Sequence, residues 1–265
     1  LADSEWGARI GAALANMQSL RKLVINTSGM TTISDNSLRE MALYLKDLYQ
    51  LRSLNFNFAS CTTITNEGFS HIQEGIKTLC NLRELIIDFS VVWNDRSRAN
   101  ENITSLGISY LKEGLIHLTS LRILVLKFAY VKGISDPALS HLKSGLSTLS
   151  KLQYLDLDFN SCSEISDTGL GHLRDTCKSL SSLQTLKLNV QCCSRITDKG
   201  IGFMVEGFKH LWLLHQLKLN IRSCTRITYT GLITLKEGIK GLSELKRLDL
   251  DITNVRSEER RVGKE

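Results

Sequence analysis

The chain has 265 residues, 42% of them hydrophobic, enough to bury one large core or a repeat array. It holds no apolar run of about 18 residues that would span a membrane, and no basic start followed by an apolar block that would mark a secretory signal. Its formal charge of +6 (33 Lys+Arg against 27 Asp+Glu) is spread along the chain and falls only to +5 (29 minus 24) without the last ten residues, so no basic arm for nucleic acid is present.

Residues 1–19 read as the helix half of a repeat, so the expectation is a chain that starts inside a unit. Complete units follow with "LRKLVI" at Leu20, "LRSLNF" at Leu51, "LRELII" at Leu82 and "LRILVL" at Leu121. Then come "LQYLDL" at Leu152, "LQTLKL" at Leu183, "LHQLKL" at Leu214 and "LKRLDL" at Leu245. The spacing is 31 residues except for one interval of 39, between Leu82 and Leu121.

The first Leu of each unit is taken as position 0, and the eight inserted residues are left out of the count. Apolar residues recur at positions 0, 3, 5 and usually 7, where Phe58, Phe89, Phe128, Phe159, Val190, Ile221 and Ile252 stand. Alternation with a period of two predicts a strand. A turn follows, then Ile-Thr or Ile-Ser at positions 13 and 14, as in Ile64-Thr65, Ile165-Ser166 and Ile196-Thr197. The hydroxyl residue caps a predicted helix, with Asp often in the first turn, and Pro137 is tolerated early in its helix. Apolar residues at positions 18, 21, 25 and 28, as in Leu170, Leu173, Cys177 and Leu180, make one helical stripe. Gly recurs at position 17 (Gly68, Gly107, Gly169, Gly200, Gly231) and at position 24 (Gly75, Gly114, Gly145, Gly207, Gly238). Glycine costs about 1 kcal/mol in a helix interior, so its recurrence on one flank predicts close approach of neighbouring helices there.

One such unit cannot bury its own faces, but stacked units can. Strands stack at about 4.8 Å and helices are about 10 Å wide, so the stack must curve with the sheet inside. At this point the pattern is recognisable. "LQTLKLNVQCCSRITDKGIGFMVEGFKHL" resembles a leucine-rich repeat of the ribonuclease-inhibitor-like kind. Its Cys followed by "RITDKG" resembles the cysteine-containing subtype of F-box proteins, with about two extra residues before the Cys. The 31-residue form with the "WGARIGAALANMQSL" helix is similar to repeats of protist proteins. The resemblance covers residues 1–255 and implies an α/β leucine-rich-repeat solenoid, a horseshoe with a parallel β-sheet on the concave face and α-helices on the convex face. It implies a binding surface rather than an active site.

Strand positions 4 and 6 should face the groove. Val24, Ile86, Ile123 and Val125 form an apolar zone. Asp88, Lys127, Asp156, Asp158, Lys187, Lys218, Asp249 and Asp251 form a charged zone of mixed sign. The expectation is a protein partner held by area in the first zone and selected by charge in the second. No basic stripe with aromatics points to nucleic acid, and no small-molecule substrate or membrane is implied. The loop insertion 93–102 is a second candidate, because Trp93, Arg96 and Arg98 have the composition of binding hot spots.

Cys61, Cys162, Cys193 and Cys224 share position 10 and should stack as small buried thiols, which points to a reducing, cytoplasmic compartment. The paired spacings of a metal site are absent, and no cofactor is expected. His71, His141, His172, His117 and His210 are expected on a solvated convex face, with no nucleophile–base arrangement beside them. The expected function is therefore a non-enzymatic scaffold. The cysteine subtype implies, as an alternative, substrate recognition in an F-box-type ubiquitin ligase. Activation of a small GTPase is a weaker alternative, resting on Arg195 and Arg226. Residues 256–265, "RSEERRVGKE", break the repeat frame after Val255 and match, letter for letter, the translation of a common sequencing adapter. They are expected to be foreign, with the native array continuing past Val255 and core exposed at both ends.

Overall fold

A computed structural model of the chain describes residues 3–91 and 100–255. Trp93, Arg96, Arg98 and the segment 256–265 lie outside the described residues. Helix and strand alternate throughout: α1 (Asp3–Leu14), β1 (Lys22–Asn26), α2 (Asp35–Leu45), β2 (Ser53–Asn57), α3 (Asn66–Ile76), β3 (Glu84–Asp88), α4 (Ser105–Leu115), β4 (Ile123–Lys127), α5 (Asp136–Leu146), β5 (Tyr154–Asp158), α6 (Asp167–Cys177), β6 (Thr185–Asn189), α7 (Asp198–Phe208), β7 (Gln216–Asn220), α8 (Tyr229–Lys240) and β8 (Arg247–Asp251). The eight strands form one parallel sheet in chain order. The fold is an α/β repeat solenoid of the leucine-rich-repeat kind.

Register follows the repeat. Leu54 pairs with Leu85, Leu85 with Leu124 and Leu124 with Leu155, so each residue meets its equivalent one unit on. The longer interval leaves the sheet undisturbed because its extra residues fall between β3 and α4. The buried strand positions, the Phe residues of position 7 and the helix stripe merge into one continuous core. Phe58, Phe89, Phe128 and Phe159 stack at centroid separations of 5.4, 6.3 and 6.2 Å, and Phe69 of α3 joins Phe89 at 4.5 Å. On β8, which no further described strand covers, Leu248, Leu250 and Ile252 are 47%, 36% and 42% exposed.

The turn after each strand is built alike. The residue at position 9 is left-handed in seven units, with φ of 77° at Gly29, 59° at Ser60 and 62° at Ser161. That conformation is uncommon for side chains other than Gly, Asn or Asp. The N–H of this position donates along the stack, as where Ser161 N donates to Gln191 O at 2.8 Å, and Val91 makes the same bond without the left-handed turn.

The buried thiols complete the turn. Cys61 Sγ donates to Thr27 O at 3.1 Å, Cys162 Sγ to Phe128 O at 3.2 Å, Cys193 Sγ to Phe159 O at 3.4 Å and Cys224 Sγ to Val190 O at 3.1 Å. Burial pushes all four thiols up, Cys224 to about 12, so none presents a thiolate near neutrality. In the unit with the insertion, Asn100 stands at the matching place before the helix. It is buried, donates to Ile64 O at 3.2 Å and accepts from the N–H groups of Asn102 and Ile103.

The glycines at position 17 have a cause beyond close helices. Asp35, Asp136, Asp167 and Asp198 begin their helices, and each reaches across to the cap residue of the next unit. Asp167 accepts from Thr197 N at 2.8 Å and from Thr197 Oγ1 at 2.7 Å. Asp136 does the same with Ser166, and Asp198 with Thr228. The carboxylate then lies where a Cβ of the next helix would be: 2.5 Å at Gly68, 2.6 Å at Gly169, 2.5 Å at Gly200 and 2.3 Å at Gly231. Where the first residue is Ser105 instead, its hydroxyl meets Ser135 Oγ at 2.9 Å and position 17 of the next helix is Ala138. Clasp and glycine therefore go together along the stack.

Candidate interaction surface on the concave face

On β2, β3, β5 and β6 the side chains of positions 3 and 5 are buried and those of 2, 4 and 6 are at least partly open. The sheet thus presents three rows of side chains to the groove. In the N-terminal zone Val24 is 52% exposed, and Ile86 and Ile123 are partly exposed. Val125 departs from expectation. It is only 8% exposed, flanked in register by Ile86 and Asp156. The apolar zone is also interrupted by Asn55, so it offers separate footholds and no continuous strip.

The C-terminal zone is a shallow depression of about 240 Å³ lined by Lys127, Asp156, Asp158, Lys187, Asn189, Lys218 and Asn220. Lys127 Nζ lies 3.9 Å from Asp88 Oδ2, and Lys218 Nζ lies 2.6 Å from Asp249 Oδ2. Lys187 has no carboxylate within bonding distance among the described residues; its ammonium sits 5.1 Å over the Tyr154 ring. The Tyr154 hydroxyl points at Asp156 Oδ2, 3.4 Å away. Burial raises the pKa of Asp156, with Lys187 and Lys127 opposing the shift. Burial also raises that of Asp158, reinforced by its neighbours Asp156 and Asp88. The depression therefore holds two partly desolvated carboxylates and one ammonium, Lys187, that forms no direct ion pair.

The row at position 6 has a second duty that sequence reading missed. In seven units this residue is Asn or Asp, and its Oδ1 accepts the N–H two residues on, closing the turn after the strand. Asp88 takes Ser90 N at 2.9 Å, Asp158 takes Asn160 N at 3.0 Å and Asp251 takes Thr253 N at 3.1 Å. The Thr253 hydroxyl adds a bond at 2.6 Å, and these two bonds lower the pKa of Asp251. Asp88, Asp158 and Asp251 are thus turn formers first and partner candidates second. The signal was in the sequence as an Asn/Asp column. Lys127 is the exception: it cannot accept, and the Ala129 N–H goes to Ser90 Oγ of the preceding unit at 3.3 Å.

Elsewhere the candidates thin out. Arg195 is held by Glu164 at 2.7 Å, which leaves Arg226 as the open arginine of that pair. His71, His141 and His172 are half-buried rather than solvated, because neighbouring helices overlap at their position. Burial beside Lys112 lowers the pKa of His141. Among the described residues no group of three or more His, Cys, Asp or Glu side chains is placed to hold a metal, and no helix is long and apolar enough to cross a membrane.

Neither a family model nor a curated protein matches this chain. Among solved structures it is similar to a chain in the crystal structure of a Rad7 and Elc1 complex in yeast, at 16% identity and a TM-score of 0.33, covering 94% of this chain and 75% of that one. A superposition that loose transfers nothing from one chain to the other.

Proposed function

We propose that the chain is a non-enzymatic scaffold that binds a protein partner through the concave β face. The observation that carries this reading is the charged depression between Lys127 and Lys218. Its carboxylates are partly desolvated and the Lys187 ammonium forms no direct ion pair, so a partner can add bonds to groups that the fold leaves open. Val24, Ile86 and Ile123 supply apolar contact beside it. The row of buried, hydrogen-bonded thiols supports a reducing, cytoplasmic setting. The same row is what the chain shares with the cysteine-containing repeat subtype, and it supports substrate recognition in an F-box-type ubiquitin ligase as the second reading.

The test compares the proteins retained from source-cell extract by the immobilised chain and by its Lys187→Glu/Lys218→Glu variant. Both lysines are on the open face, so the variant keeps its fold. Loss of a specific partner, with circular dichroism unchanged, is expected. An identical set of retained proteins would remove the concave face from the proposal.

A further inference from the structure

The rim on which each helix returns to its strand carries a feature that the concave face does not use. Position 1 of successive units holds Arg21, Arg52, Arg83 and Arg122, then Gln153, Gln184, His215 and Lys246. Backbone bonds make the four arginines direct neighbours: Arg52 N donates to Arg21 O, Arg83 N to Arg52 O and Arg122 N to Arg83 O, each at 2.8 Å. All four are exposed, and among the described residues none has an ion-pair or side-chain hydrogen-bond partner. At a strand spacing of about 4.8 Å the row is about 14 Å long. It is a run of four like charges in register along one rim of the stack.

Two exposed aromatics stand on the same rim at one repeat position, Tyr49 (53% exposed) and Trp212 (69%), with Leu213 beside the second. Tyr49 and Arg21, with Gln18, Ser19 and Gln50, line an open depression of about 460 Å³. Arg, Tyr and Trp are the residue types that dominate binding hot spots. The four adjacent charged positions are all Arg, and the row's one Lys, Lys246, stands apart at the far end. The planar guanidinium takes a carboxylate through two parallel bonds, which an ammonium cannot do.

We infer that this rim is a second docking surface, for an acidic segment of a protein partner lying across the strands. An extended chain advances about 3.3–3.6 Å per residue, so the arginine row spans four to five residues of such a segment. Beyond it, the uncharged Gln153 and Gln184 lead towards Trp212 and Leu213, which suit an apolar residue of the same segment. A single-stranded nucleic acid fits less well. Its bases need an aromatic platform at each step, whereas between Tyr49 and Arg122 the rim offers Cys80, Asn81, Thr119 and Ser120. This surface is separate from the concave face and stands or falls independently of it.

The test is fluorescence anisotropy with a labelled hexaglutamate peptide, a hexaglutamine control and a labelled oligothymidylate, on the full chain. Hexaglutamate should bind, hexaglutamine should not, and binding should weaken as salt is raised. Arg52→Ala/Arg83→Ala should weaken it by about tenfold or more, and Arg52→Lys/Arg83→Lys by less, since charge is kept and the fork is lost. Lys236→Ala/Lys240→Ala, exposed on α8 and remote from both surfaces, should leave it unchanged. Equal binding of the two peptides, indifference to the arginine substitutions, or tighter binding of the oligothymidylate would each overturn the inference.

Discussion

The two halves of the array share a backbone and fill it differently. From the second to the fifth unit, position 7 is a stacked column of phenylalanines. In the sixth and seventh units Val190 and Ile221 take their place. The helix stripe has one small member: position 25 is Ile76, Leu115 and Leu146, and Phe208 further on, but Cys177 between them. Beside that smaller side chain lies an apolar void of about 20 Å³ bounded by Leu157, Leu173, Leu188, Met204 and Phe208. The surfaces diverge in parallel, with apolar footholds on the concave face of one half and a charged depression on the other. What does not change is equally informative. Leu at position 3, a large apolar residue at position 5, Asn or Asp at position 6 and the clasp with its glycine recur in both halves, because the backbone needs them. Positions 1, 2 and 4 are released from that duty, and it is there that the surfaces of the halves differ.

The largest effect should come from breaking the aromatic column. Phe89 contacts three other rings and is fully enclosed, so Phe89→Ala leaves a void that neighbouring repeats cannot fill. A loss of about 3–5 kcal/mol is expected from urea unfolding. Val190→Ala removes less from the equivalent site and should lose about 2 kcal/mol. Equal losses would mean that the column packs no better than the aliphatic half, and the contrast between the halves would be one of composition only.

A smaller effect should come from the clasps, and here two glycines of a single helix give opposite signs. In α7 a Cβ on Gly200 would lie 2.5 Å from Asp167 Oδ1 and 2.9 Å from Leu170 Cδ1, whereas one on Gly202 would meet nothing within 4 Å. Gly200→Ala should therefore destabilise by about 1–3 kcal/mol through overpacking. Gly202→Ala should stabilise by about 0.5–1 kcal/mol, the helix-propensity gain alone. In an Asp167→Ala background, Gly200→Ala should lose most of its penalty, which a double-mutant cycle by thermal unfolding would show. Additive effects would separate the glycine from the clasp.

The period, the strand and helix of each unit, the caps and the cysteine ladder were all legible in the sequence, because each rests on a residue type recurring every 31 positions. The candidate site was legible only in part. The rows facing the groove followed from strand alternation, but the burial of Val125 depends on what flanks it across three strands. The turn duty of Asp88, Asp158 and Asp251 depends on a side chain bonding its own backbone. Both are three-dimensional facts. The arginine rim is an intermediate case. "LR" opens four consecutive units in plain view, yet its meaning appears only when backbone bonds place the four arginines side by side with no counter-ion.

The smallest effect tests whether the charged half is organised for the fold or for a partner. Asp158 has a folded pKa above its unfolded value, since burial and the nearby Asp88 and Asp156 disfavour the anion more than Lys127 favours it. An acid shifted upward binds its proton more readily in the native state. Its ionisation therefore subtracts stability as pH rises from the unfolded value, near 3.9, through the folded one. Asp158→Asn removes that loss and keeps the turn, because Asn fills the same position at Asn57, Asn189 and Asn220 and accepts the same N–H. At pH 7 the variant should be the more stable of the two, and the difference should vanish as pH falls below the unfolded carboxylate value, near 3.9. If the variant is instead less stable at pH 7, the Lys127–Asp158 attraction outweighs burial. The C-terminal zone would then be a self-satisfied lattice of charge, with Lys187 left as its one group still open to a partner.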